Sequence, residues 1–317
     1  MLSGTSQQAL RLLLADPHTD LDHVDWAELR ELAVSHGVIV RLADAVTAGR
    51  EELPERFHAA AAQACARAQR ALAIVDRLSA RCDTLGLAHA FLRTAESYPD
   101  AGTVTLLVAA PWRPSVDREI LEDLPAAPRS TRNLGNRLAG CSTFSTVDGI
   151  PVRIRHGRLG RLGEHARYAR MLLGRAQRVR VGATSCSAPT PEDHCLMLAI
   201  ERAYAQSSSS PRLDDLAWLV PMLWAQSLDW DYLFAAAVSI GMLEALGAFL
   251  ASVSGVHHQL FGRDVVDAAV LARFRGPSSH LRRLAAALEA GRWQSAARLS
   301  LRPIVAAVSA RRTPRLA

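Results

Sequence analysis

Segment 54–86, PERFHAAAAQACARAQRALAIVDRLSARCDTLG, constrains the fold more than any other stretch of this chain. Proline at its start and glycine just past its end is the asymmetry expected of one long helix. Directly after it the helical period stops. LAHAFL (87–92) and TVTLLVAA (103–110) are short apolar runs bounded by turn residues, and both predict strands. PSVDREILEDL (114–124) reads as a helix, and STFSTV (142–147) with VRIRH (152–156) reads as a hairpin turning at Asp148 and Gly149.

Helical patterning flanks this unit on both sides. VDWAELRELAVSHG spaces Trp26, Leu29, Leu32 and Ala33 on one helical face and closes at Gly37, and VIVRLADAVTAG follows as a second helix. From Glu164 helices return with EHARYARMLLGRA, then a short RVRVG. TPEDHCLMLAIERAYAQ carries Thr190 as N-cap, Pro191 at the first helical position and Asp193 completing a variant capping box. The serine run 207–210 reads as a loop, and further amphipathic segments lead to a frayed, basic tail. The expectation is an α+β, mostly helical chain. It divides into an N-terminal helical region (1–86), a small mixed-sheet α/β core (87–163) and a C-terminal helical domain (164–317).

Composition narrows the function classes. With 49% apolar and 21% charged residues in 317, this is a globular composition without an uninterrupted apolar run long enough for a membrane span. The N-terminus has no basic start of the kind a secretory signal carries, so a cytoplasmic protein without a membrane partner is expected. Five scattered cysteines with no CxxC spacing argue for buried thiols rather than disulfides or a zinc site. No histidine pair is set on a helix as a zinc hydrolase requires, and there is no Gly-x-Ser-x-Gly elbow. Aromatics at 5% argue against a base-stacking platform for single-stranded nucleic acid.

Every one of the 37 cations is arginine. Segment 129–180 holds twelve of them against Asp148 and Glu164, a balance of +10, while the remainder carries 25 against 29 acids, or −4. Such clustering has two readings, an anionic partner at the middle of the chain or a face balanced in space by the acidic remainder. Within the segment, HGRLGRLGEH (156–165) places glycines at 157, 160 and 163 with Arg158 and Arg161 between them, ahead of a helix. Backbone amides and guanidiniums so placed could cradle a phosphate or carboxylate, and a flexible turn is the plainer alternative.

Several fragments, weak singly, match one family in order and spacing. LRELAVSHGVIVRLADAV is similar to its N-terminal helix pair, LGLAHAFLRTAESYPDAGTVTLLV to its core segment, VRIRHG to its later strand, and TPEDHCLMLAIERAYAQ with RLDDLAWLV and LDWDYLFAAAVSIG to its C-terminal helices. Over 26–275 the chain thus resembles the uncharacterised bacterial nucleotidyltransferase-like family of the polymerase-β-type nucleotidyltransferase superfamily. The resemblance implies a Lys-Gly after the first strand, two Mg²⁺-binding carboxylates at i and i+2 of the next, and a third carboxylate on a neighbouring strand. This chain has Arg93-Thr94, then Thr103 and Thr105, then Arg153 at those positions. Neutral hydroxyls and a guanidinium are poor ligands for a hard dication.

The resemblance therefore implies a nucleotidyltransferase fold that has lost its metal-binding carboxylates, with no catalytic residue and no metal site to assign. The expected role is a catalytically inactive binding or accessory subunit for an acidic protein or peptide, with a nucleotide or nucleic acid as further possibilities. Arg93, Arg153, Arg155, His156, Arg158 and Arg161 are the candidate anion-binding residues. No cofactor is expected in that role. The alternative is an active, non-standard enzyme that uses Mg²⁺ and an NTP to transfer NMP to a protein, RNA or small-molecule acceptor.

Overall fold

The computed structural model describes residues 4–14, 24–48, 52–128, 134–204, 211–225 and 227–274. Four helices open the chain: α1 (Gly4–Leu13), α2 (Trp26–His36), α3 (Ile39–Ala48) and the 30-residue α4 (Glu55–Thr84). Local signals set their ends. The Asp25 carboxylate accepts from the N–H groups of Ala27 and Glu28 at the start of α2, and Gly37, at φ 65°, closes it in the left-handed region. Phe57, Ala61, Ala68, Leu72, Val75, Leu78 and Cys82 recur every three to seven residues along α4 and are buried, so one stripe of the helix faces inward.

The stripe covers a five-stranded mixed sheet. Its chain order is β1 (His89–Phe91), the short helix α5 (Thr94–Ser97), β2 (Val104–Val108), α6 (Pro114–Ile120), β3 (Ala126–Pro128), α7 (Leu134–Ala139), β4 (Cys141–Thr146) and β5 (Pro151–His156). The spatial order is β1-β2-β5-β4-β3, with β2 and β5 parallel and every other pairing antiparallel. Strand alternation divides the side chains between two cores. Val104, Leu106, Val108, Val152 and Ile154 pack with the second half of α4. Ala90 and Leu107, on the opposite face, join Tyr168, Ala169 and Leu172 of α8 (Ala166–Arg175).

After α8 comes a two-stranded hairpin, β6 (Gln177–Val181) with β7 (Thr184–Ala188). Five helices follow: α9 (Pro191–Tyr204), α10 (Leu213–Trp224), α11 (Trp230–Ile240), α12 (Leu243–Phe261) and α13 (Ala268–Arg273). The larger core takes residues from α1, α2 and α3 as well as from α8 to α12, so the first three helices and the C-terminal helices close on one interior.

The architecture is α+β and mainly helical, with a small mixed sheet, and no described helix is long and apolar enough to cross a membrane. The expected strands, the hairpin and the long helix are all present. The loop expected at 207–210 and the frayed tail lie outside the described residues. Two strands give no signal in the sequence. β3 is Ala-Ala-Pro at a sheet edge, where a missing N–H is tolerated. β7, Thr-Ser-Cys-Ser-Ala, has no large apolar residue and is held by pairing with β6 and by packing against α4 and β1.

Candidate functional site

The parallel pairing of β2 with β5 sets Thr105 opposite Arg153, and the antiparallel pairing of β5 with β4 sets Thr143 opposite the same Arg153. Residues opposite one another share a sheet face, so Thr105, Arg153 and Thr143 form one row across three strands. The next row is Leu107, Arg155 and Cys141. Leu107 is covered by the helical core, whereas Thr105 is half-buried and Arg153 exposed, as is Thr103 two residues before Thr105. The head of this face is thus open and its far end closed.

The open row holds hydroxyls and one guanidinium, and among the described residues Arg153 makes no hydrogen bond or ion pair. A Mg²⁺ set beside Thr105 would stand about one strand spacing from that charge, a repulsion of about 2 kcal/mol even in a water-like dielectric. The residues do not fit the ion. Among the described residues no three His, Cys, Asp or Glu side chains gather as a metal site. Cys141, beneath Arg155 and Arg153, is buried, and that burial pushes its thiol pKa up although both guanidiniums pull it down.

Arg93 is not part of this face. It sits at φ 66°, a left-handed backbone that side-chain-bearing residues seldom adopt. Its guanidinium donates to Glu201 Oε2 at 3.0 Å, Asp214 Oδ2 at 2.5 Å and Asp215 Oδ1 at 2.9 Å. Burial works against its charge, but Glu201, Asp215 and Asp214 outweigh burial and hold its pKa above the ordinary value. Asp215 also accepts from Arg202 Nε at 2.7 Å and from the Arg212 backbone N–H at 3.0 Å. Three carboxylates from α9 and α10 thus engage both terminal nitrogens of Arg93 and neutralise its charge, so it leaves the anion-binding set. Thr94 follows at the start of α5 and Glu96 lies within it, buried, its carboxyl pushed up to about 7 by desolvation against a backbone hydrogen bond and Arg93.

His156 leaves the set for a reason of parity. It alternates with Arg153 and Arg155 on β5 and therefore projects from the other face, where it is 3% exposed. There its Nε2 lies 2.8 Å from Asp117 Oδ1. The Ser142 hydroxyl donates to the other oxygen of Asp117 at 2.6 Å and accepts from Trp112 Nε1 at 3.0 Å. This buried chain ties α6 to β4 and β5 and is sealed from the open face by the sheet itself.

The glycine loop at 157–163 is filled by the chain's own acid. The Leu162 N–H donates to Glu164 Oε2 at 2.7 Å, and a Cβ on Gly160, at φ 88°, would lie 2.6 Å from that oxygen. Glycine is required there because the carboxylate lies where a side chain would begin. Arg155 and Arg158 donate to main-chain oxygens, of Gly160 at 3.3 Å and Leu138 at 3.4 Å, and Arg161 is half-buried beside the filled turn. These contacts tie Arg155 to the loop and Arg158, within the loop, to α7.

Of the other arginines of the basic segment with described side chains, Arg180 donates from Nε to the Gly182 carbonyl at 3.3 Å, and the rest divide in two. Arg175 and Arg178 pair with acids, Asp193 at 3.3 Å and Asp83 at 3.0 Å, so part of the excess charge is balanced in space. Arg153, Arg167 and Arg170 are exposed. The side chains of Arg129, Arg132 and Arg137 lie outside the described residues. Thr143 and the acids that hold Arg93 fall within the strand and helix segments but carry no site signal of their own. Cross-strand parity could have located Thr143 once the hairpin was assigned. No family model, no curated protein and no solved structure matches this chain.

Proposed function

We propose that this chain is a nucleotidyltransferase-type scaffold without a working metal site, and that it acts as a binding or accessory subunit for an acidic protein or peptide. The observation that carries the reading is the open row Thr105–Arg153–Thr143, with Thr103 exposed beside it. An unpaired guanidinium flanked by hydroxyls suits a carboxylate: the fork donates two parallel hydrogen bonds and the threonines add neutral donors. Arg153 is the anchor in this reading, and exposed Arg167 and Arg170 on α8 extend the positive field beyond the site.

Calorimetry on the full chain tests it. An oligoglutamate peptide binds the wild type, and Arg153→Glu weakens it by about tenfold, the size of a single charge-assisted hydrogen bond removed at a partly exposed site. With each NTP and Mg²⁺, no nucleotide is transferred and no metal-dependent binding is seen. Micromolar, Mg²⁺-dependent NTP binding followed by turnover overturns the proposal, as does peptide binding indifferent to Arg153→Glu.

A further inference from the structure

A cleft of about 530 Å³ opens where α4, the α2–α3 junction and the β4–β5 turn meet. Its walls include Ala60, Ala64, Ile39 and Ile150, and its polar groups include Arg67, Arg70 and Thr103. Positions 60, 63, 64, 67 and 70 share one face of α4, so a single helix supplies a small apolar floor and then two successive guanidiniums.

The two arginines are presented differently. Arg67 Nε donates to the Gly102 carbonyl at 3.2 Å, and a Cβ on Gly102 would stand 3.1 Å from that nitrogen. Glycine there lets the arginine lie flat on the chain, which fixes the position of its guanidinium. Arg70, one turn on, is exposed and makes no hydrogen bond or ion pair among the described residues. Arg212 also lines the cleft, but its charge is engaged: Nε lies 3.2 Å from Asp214 Oδ1, and Nη2 donates to Ser35 O at 2.8 Å.

The acids present do not cancel the pair. Asp100 accepts from the Val40 and Arg41 N–H groups and from Arg41 Nε, at 2.6, 3.3 and 3.1 Å, so its charge is consumed at the start of α3. Asp148 sits in the exposed turn at the cleft edge and is the one remaining lining carboxylate. Two available guanidiniums against one carboxylate, above a small apolar floor, define a ligand with a doubly charged head and a compact body. The volume lies within the range of small-molecule sites, about 300–1,000 Å³.

The geometry points to this cleft as a binding site for a small organic phosphomonoester. Its phosphate lies between Arg67 and Arg70 and its body rests on Ala60 and Ala64, with Thr103 and Asp148 placed to meet polar groups on that body. The inference goes beyond the anion-binding face. The two sites share Thr103 but neither Arg153 nor either α4 arginine, and one can fail without the other.

Metal-free calorimetry with phenyl phosphate and with inorganic phosphate tests it on the full chain. Phenyl phosphate binds about tenfold more tightly than inorganic phosphate, because the ring buries apolar surface that phosphate lacks. Arg70→Glu weakens phenyl phosphate by at least about tenfold, while Arg153→Glu leaves it unchanged. Ala64→Leu, which fills the floor, weakens phenyl phosphate and spares inorganic phosphate. Thermal melting of Arg70→Glu matches the wild type, since the side chain has no hydrogen-bond or ion-pair partner among the described residues to lose. The inference is overturned by an absence of phenyl phosphate binding at millimolar concentration, by equal affinity for the two probes, or by an Arg70→Glu protein that binds like the wild type.

Discussion

Replacing Arg93 by methionine separates a structural arginine from an anion-capturing one. Methionine carries the same Cβ into the left-handed backbone at φ 66°, so the local conformational cost is unchanged and only the guanidinium is lost. Its three acceptors fare differently. Glu201, with a side chain 40% exposed, turns to water. Asp215, fully buried, keeps Arg202 at 2.5 Å. Asp214, only 10% exposed, keeps Arg212 Nε at 3.2 Å, and that side chain is itself 41% exposed. The penalty therefore concentrates on Asp214, with a lesser share on Asp215. Breaking a buried ion pair costs about 3–5 kcal/mol. The surviving partners and the 24% exposure of Arg93 place this case at the lower end, about 3 kcal/mol. For a chain of this size that is a fall in Tm of about 4–5 °C.

A pH signature accompanies the loss. Burial already holds the Asp214 carboxyl above the ordinary carboxylate value against the pull of Arg93, and removing Arg93 raises it further. An acid whose pKa is higher folded than unfolded takes up a proton on folding. Its penalty is full above the folded pKa and gone below the unfolded one. The gap between Arg93→Met and wild type is therefore widest at pH 7 and narrows as pH falls towards about 4. Circular-dichroism melts from pH 4 to 8 measure it. A gap under about 1 kcal/mol at pH 7, or one equal at both ends of the range, refutes the reasoning. So does a loss of oligoglutamate binding in the folded variant, which would return Arg93 to the anion site.

Glu96, pushed up to about 7 by burial, makes the wild type lose stability as pH rises from the ordinary carboxyl value of 4.5 to about 7, by up to about 1.4 kcal/mol per pH unit, and the penalty is full above that. Relative to Glu96→Gln, the wild type's urea midpoint should fall as pH rises from about 5 to about 7 and level off above it, and a difference that does not change over that range contradicts the burial argument. The thiols give a simpler count. Cys82, Cys141, Cys186 and Cys195 are buried, with burial raising Cys82 and Cys195 to about 12 and Cys186 to about 11, while Cys65 alone is partly exposed. Ellman's reagent should titrate one fast thiol in the native protein and all five in denaturant, and a second fast thiol counts against this packing.

What the sequence discloses and what it conceals divide along one line, the range of the interaction that decides each feature. Helices α2 and α4, the pair β1 and β2, and the β4–β5 hairpin are set by caps, glycines and alternation within a few residues, and all are legible. β3 and β7 are not, because neither carries an apolar period and each exists through a neighbour it pairs with. The site follows the same rule. Arg153 opposite Thr105 is a register fact that the strand assignments nearly contain. Arg93 reads as anion-facing in the sequence because its neutralising acids lie more than a hundred residues away, at 201, 214 and 215.

Two further features are legible from period alone. A strand that presents Arg153 and Arg155 on one face must present His156 on the other, so grouping the three as one site contradicts the alternation that defines the strand. Gln63, Arg67 and Arg70 likewise follow helical spacing in the alanine-rich segment and mark a polar stripe on a helix whose other stripe is core. A thirty-residue helix with one face on a sheet has its remaining faces to account for. Here one of them forms the wall of a cleft, and among the described residues the two guanidiniums it presents there lack the acidic partners that Arg93, Arg175 and Arg178 have each found.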